Sequence, residues 1–218
     1  MRIRRRLRWP AWLDRRVVAV LGIAVVALIS DGVRRENREF SASLDSVSGS
    51  AMVHRPGGAP EPASPGQVLS SGDVVTTGLA SRATIRYPDG SVLTLGGDTT
   101  LEVRLIEYNR GGGWRDRSIA LRSGQCWTTA GPGFGNGSEL KVHTPSVVAA
   151  VRGSTISVAH DAISQVSRVC CSEGEVLIWG RIGSVSLSAG TESSAVAGGP
   201  PAMAATIADS ESASHSDE

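Results

Sequence analysis

Three cysteines and four histidines are the side chains of this 218-residue chain best suited to chemistry at neutral pH, and their spacing argues against most of it. A tetrahedral metal site needs paired ligands a few residues apart. Cys126, Cys170 and Cys171 give one adjacent pair and one distant residue, while His54, His143, His160 and His215 stand far from one another. The histidines read as solvent-facing strand positions. A serine nucleophile would need a Gly-x-Ser-x-Gly elbow or an oxyanion loop, and neither occurs. The glycine-rich stretches 111–113 and 131–137 lack the Lys-Ser/Thr ending and following helix of a phosphate loop. No catalytic residue, metal ligand or cofactor is therefore expected. What remains is surface chemistry: Trp114, Trp127 and Trp179 serve either as core packing or as a face on which sugars stack. Cys126 has two readings as well, a small buried apolar side chain or one partner of a disulfide with Cys170 or Cys171. Neighbours in a strand point to opposite faces, so only one of those two can meet it.

The compartment follows from charge. Residues 1–16 carry seven Arg against one Asp, and the rest of the chain is net acidic. An apolar run, Val17 to Ile29, comes directly after. A basic start joined to an apolar block is a membrane-insertion signal with its positive end held in the cytoplasm. Thirteen residues at about 1.5 Å each cover about 20 Å, short of the ~30 Å hydrocarbon core, which fits a cleaved signal. Gly32 and Val33 lengthen the span, Trp9 and Trp12 can anchor it at the interface, and no small-x-small cleavage site follows. A retained single-pass anchor over 17–33 is the reading adopted, with secretion after cleavage as the alternative. Residues 34–42 then form a juxtamembrane linker, and the domain beyond lies outside the cytoplasm, where disulfides persist.

Strands dominate the remainder. Ala83, Ile85 and Tyr87 alternate with Arg82, Thr84 and Arg86, the period of a strand with one wet face. Pro88-Asp89-Gly90 supplies a turn, and Ser91 to Leu95 runs back. Gly96-Gly97-Asp98 turns the chain again. Ser123-Gly124-Gln125 is expected to separate two further strands, and short apolar segments continue to Ser188. Eleven or twelve strands result, with no sustained helical period after residue 42. The fold class is all-β: a two-sheet sandwich or β-solenoid of short antiparallel strands over 43–190, preceded by one N-terminal transmembrane or signal helix. Residues 191–218 hold few large apolar groups, end acidic and Ser-rich, and read as a disordered tail.

Six segments in order, Leu69 to Thr77, Ser81 to Ser91, Leu121 to Gly124, Val142 to Pro145, Val151 to Val158 and Glu173 to Val176, resemble a FecR-type extracytoplasmic module, as in regulators of iron-citrate transport. The resemblance implies a non-enzymatic, membrane-tethered domain at the cytoplasmic membrane that senses signals by binding proteins. Sigma-factor regulators of that kind also carry a cytoplasmic helical domain before the membrane segment, and sixteen residues stand there in this chain. Arg152, beside Gly153, is the candidate partner contact, because its guanidinium can offer a fork to a carboxylate. The expected partner is an envelope protein or a polysaccharide, with no nucleic acid. A structural or carbohydrate-contacting envelope protein is the alternative.

Overall fold

The computed structural model describes residues 42–108, 115–131 and 139–207, and in all but one residue of these it is built from strands, turns and loops. Residues 17–33, on which the anchor reading falls, lie outside the described residues, as do Trp114 and His215. Among the described residues no helix is long and apolar enough to cross a membrane.

Among the described residues, alternating apolar residues produce seventeen strands rather than eleven or twelve. The first eight are β1 (Ala42–Ser48), β2 (Ala51–His54), β3 (Glu61–Pro62), β4 (Val68–Leu69), β5 (Val74–Thr77), β6 (Arg82–Arg86), β7 (Val92–Leu95) and β8 (Thr100–Tyr108). β9 (Arg115–Thr129) is the longest. After it come β10 (Glu139–His143), β11 (Val148–Val151), β12 (Thr155–Asp161), β13 (Val166–Glu173), β14 (Glu175–Trp179), β15 (Ser184–Ser188), β16 (Thr191–Val196) and β17 (Ala205–Thr206).

The strands form two ladders that share β9. One, here sheet A, runs β4-β1-β6-β7-β9-β12-β13-β16-β17. Sheet B runs β3-β2-β5-β8-β9-β10-β11-β14-β15. Every pairing is antiparallel except β9 with β10. Each strand buries one face, and the inward residues of both sheets make a single apolar cluster. Leu44, Ile85, Leu93, Ile156 and Val169 come from sheet A, and Val53, Leu101, Ile119, Leu140, Val176 and Ile178 from sheet B. Two antiparallel sheets face to face over one core are a sandwich. Among the described residues, the strands before β9 lie on one side of it in both sheets and those after it on the other.

Two sequence expectations are corrected by this arrangement. Ser123-Gly124-Gln125 is not a turn: the strand continues through it, pairing with β8 in sheet B up to Ser123 and with β12 in sheet A from Gly124 onward. Gly124 makes the bend at φ +85°, where a Cβ would sit 2.6 Å from Thr99 Cα. The expected disordered tail from residue 191 also begins too early. Thr191 to Val196 forms β16 along β13, burying Ser193 and Ala195. Small side chains suffice because the backbone ladder supplies the order and β13 needs only covering. Residues 208–218 lie outside the described residues.

Candidate functional site

The most unusual chemistry in the domain lies at the β6–β7 turn. Tyr87, Asp89 and Ser91 are all buried there, and an arginine reaches them from β9. Arg117 shares the inward side of β9 with Ile119 and Leu121, so alternation drives a cation into the core. Its Nη1 donates to Asp89 Oδ1 at 3.2 Å, and its Nη2 lies 2.9 Å from Oδ2. Asp89 Oδ1 also accepts the Ser91 backbone N–H at 3.0 Å. The guanidinium sits 4.7 Å from the centroid of the Tyr87 ring, within cation–π range. Burial pushes the Tyr87 hydroxyl up to about 12, partly offset by the charge of Arg117. Gly131, after β9, donates its N–H to Ser91 Oγ at 2.9 Å. The cluster thus clamps one hairpin turn onto both ends of the longest strand. It was missed in the sequence, although an Arg at an apolar position of an alternating strand was the available signal.

Arg152 occupies the corner between β11 in sheet B and β12 in sheet A, next to Gly153 at φ +80°. Its side chain is 75% exposed, but its fork already meets Glu139, through Nε at 3.0 Å and Nη2 at 3.0 Å. Lys141 Nζ adds a contact to the same carboxylate at 2.9 Å. Partial burial would raise the Glu139 pKa, and the hydrogen bonds from Lys141 and Arg152 overcome it, holding the carboxyl below the usual range.

The disulfide expectation is overturned, since Cys126, Cys170 and Cys171 are all free thiols. β12 lies between β9 and β13, so Cys126 is two strand spacings, about 10 Å, from either candidate. A disulfide needs Cα atoms about 4.4–6.8 Å apart. Cys126 and Cys171 face the core. Cys170 faces outward, and its thiol donates to Glu192 Oε2 at 3.1 Å. Burial pushes Cys126 up to about 12, and burial with the Glu192 hydrogen bond pushes Cys170 up to about 11.

His160 corrects the expectation that the histidines face solvent: it is 2% exposed. Its Nδ1 lies 2.9 Å from Ser167 Oγ, whose hydroxyl donates to Thr144 Oγ1 at 2.7 Å. Burial depresses its pKa. His143 is depressed in the same direction, by partial burial and by Arg104 and Lys141. Among the described residues no group of three or more His, Cys, Asp or Glu side chains could hold a metal ion.

The outer surfaces complete the picture. Trp127 points out of sheet A and is 37% exposed, and Trp179 is half-buried beside the β14–β15 turn. Among the described residues β15 forms one outside edge of sheet B and pairs only with β14.

These features define an all-β sandwich whose distinctive residues are structural within and polar without. Residues 73–177 match the model of the family described as FecR protein, so this part of the chain is similar to that family's domain. No curated protein matches the sequence. Among solved structures, the chain is similar to a crystal structure at 2.50 Å resolution described as a "putative anti-sigma factor" from Parabacteroides distasonis ATCC 8503. The TM-score is 0.50 at 14% identity, over 61% of this chain and 59% of that one. A second structure so described, from the same organism, gives 0.48 at 15% over the same shares. The likeness is one of fold, and this chain spans about three fifths, 59%, of the length of the structure it resembles.

Proposed function

We propose that this chain is a non-enzymatic signal-sensing module, tethered to the cytoplasmic membrane through residues 17–33, whose extracytoplasmic FecR-type domain works by docking another envelope protein. The observation that carries the docking is the edge of sheet B. Outer edges of sheets invite strand addition, and proteins ordinarily blunt them with short strands, charge or proline. The other three edges follow that rule: β3 and β4 are two residues long, β3 contains Pro62, and β17 is also two residues. β15 breaks it, with five residues, Ser184-Val185-Ser186-Leu187-Ser188, and neither charge nor proline. Leu187 is buried in the core, which fixes the register of the strand, while Ser184, Ser186 and Ser188 face outward. A partner strand adding here would take its affinity from main-chain hydrogen bonds and its specificity from alternate side chains. The family match supports a regulatory role over catalysis.

The test uses proline. N–H groups of successive residues in an edge strand point alternately toward the neighbour and away from it, so one of Val185→Pro and Ser186→Pro leaves the β14 ladder intact. Cross-linking the full chain in its native membranes should capture a specific envelope protein. The proline variant that keeps the wild-type melting temperature should lose it. Capture that is unchanged in that variant would remove β15 as the docking edge. Release of the full chain by alkaline carbonate would argue against the tether.

A further inference from the structure

We infer that the outer face of sheet A carries a saccharide-binding trough centred on Trp127. The register builds it. Along the outward side of β12 stand Ser157 and Ala159, both small. Trp127 and Gln125 of β9 pair with them on one flank, and Cys170 and Arg168 of β13 on the other. Small residues on a central strand between large ones on both neighbours make a channel, and a groove of about 520 Å³ lies there, bounded at one end by Asp161 and Ser164. Its floor from Ser157 to Asp161 is about 14 Å long, and its walls stand about 10 Å apart at the backbone.

The chemistry on the walls selects the occupant. β12 is hydrogen-bonded on both sides, to β9 and β13, so no main-chain groups are free for an added peptide strand and recognition falls to side chains. Those side chains are an indole face, a primary amide, a guanidinium, a hydroxyl and a carboxylate. Sugar rings present C–H faces that stack on an indole and hydroxyls that both donate and accept. Amide, guanidinium and carboxylate groups in fixed positions answer them in kind. Among the described residues Arg168 makes no ion pair, leaving its donors available. A single cation is too little for the phosphate contacts on which nucleic-acid binding depends. The site is on the opposite sheet from β15 and does not depend on docking there.

The experiment titrates the full chain with three hexasaccharide probes, cellohexaose, chitohexaose and hexagalacturonate, by calorimetry. At least one should bind. Trp127→Ala should weaken that binding by about tenfold or more, and Ala159→Phe, which fills the floor without touching the core face, should abolish it. Trp179→Ala and the β15 proline variant should leave it unchanged. Because Trp127 and Ala159 point outward, both variants should melt near the wild type. If Trp127→Ala did not fold, Ala159→Phe alone would decide. Failure of all three probes to bind, or binding insensitive to Ala159→Phe, would overturn the proposal.

Discussion

Replacing Arg117 by Met tests whether the buried fork holds the β6–β7 turn in place. The side chains of Arg117 and Asp89 are 3% and 0% exposed. Removing one partner of such a pair leaves the other charge in a poorly polarisable interior, at a cost of about 3–5 kcal/mol. Met keeps the volume and its packing on Tyr87, so little of that cost is a cavity. For a domain of this size each kcal/mol moves the melting temperature by about 2–4 °C, and Arg117→Met should therefore melt about 6–20 °C lower. Asp89→Asn added to it removes the stranded carboxylate and keeps an oxygen for the Ser91 N–H. The double variant should recover about 2 kcal/mol or more relative to the sum of the single losses. Urea melts of the four proteins, extrapolated linearly, measure the cycle. A loss below about 1 kcal/mol for Arg117→Met, or strict additivity in the double, would show that the pair does not organise the turn.

Three further outcomes follow from particular residues. His160 has a folded pKa below its ordinary 6.5, so the unfolded chain takes up the proton first: stability should be intact above pH 6.5 and fall as pH drops below it. Denaturant midpoints at pH 7.5 and 5.5 should differ less in His160→Gln than in the wild type, and equal slopes in the two would refute this. With all cysteines free, non-reduced protein unfolded in guanidinium should titrate three thiols with Ellman's reagent, whereas one thiol would restore the disulfide. The native protein should label slowly at pH 8, because burial holds Cys126 at about 12 and Cys170 at about 11. Gly124→Ala and Gly153→Ala separate strain from clash. Both sites have positive φ, +85° and +80°, but a Cβ at Gly153 meets nothing within 4 Å, whereas at Gly124 it falls 2.7 Å from Asp98 O. Gly153→Ala should cost about 1–2 kcal/mol, and Gly124→Ala should add about 1–3 kcal/mol of overpacking, read by the same melts.

The sequence made the strands legible wherever one face was buried and the other wet. Ala83, Ile85 and Tyr87 face inward as their alternation requires, and Leu93 and Leu95 return opposite them. Alternation reports which face is buried but not which sheet a strand joins, and Gly124 shows the gap. Glycine before a polar residue reads locally as a turn, yet the same positive φ lets one strand leave sheet B and enter sheet A without stopping. The tail failed for the opposite reason. Glu192, Ser193 and Ala195 bring too little apolar surface to predict order, and β16 exists because the open side of β13, about 20–30 residues earlier in the chain, offers a ladder. The Asp89–Arg117 pair lies between these cases. Each residue is visible, but 28 positions separate them, and only the fold joins them.

That fold also explains why an open edge occurs where it does. Both sheets grow outward from β9, the N-terminal half adding strands on one side and the C-terminal half on the other. Each sheet must therefore end twice, once in each half of the chain. In the N-terminal half both ends are two-residue strands, β3 inside and β4 just after a segment carrying four prolines between His54 and Gly66. In the C-terminal half sheet A ends on the two-residue β17, so only sheet B ends on a strand of ordinary length. Were β15 merely the last strand to fit, nothing would prevent a proline or a lysine at Ser184, Ser186 or Ser188, whose side chains face solvent. Their uniform small size leaves the outer face smooth, the condition under which a second strand can approach without a clash or an unpaired charge. A charge scan of those serines therefore distinguishes a docking edge from an unguarded one. Lysine at each should leave the melting temperature unchanged in either case, and should reduce partner capture only if the edge is used.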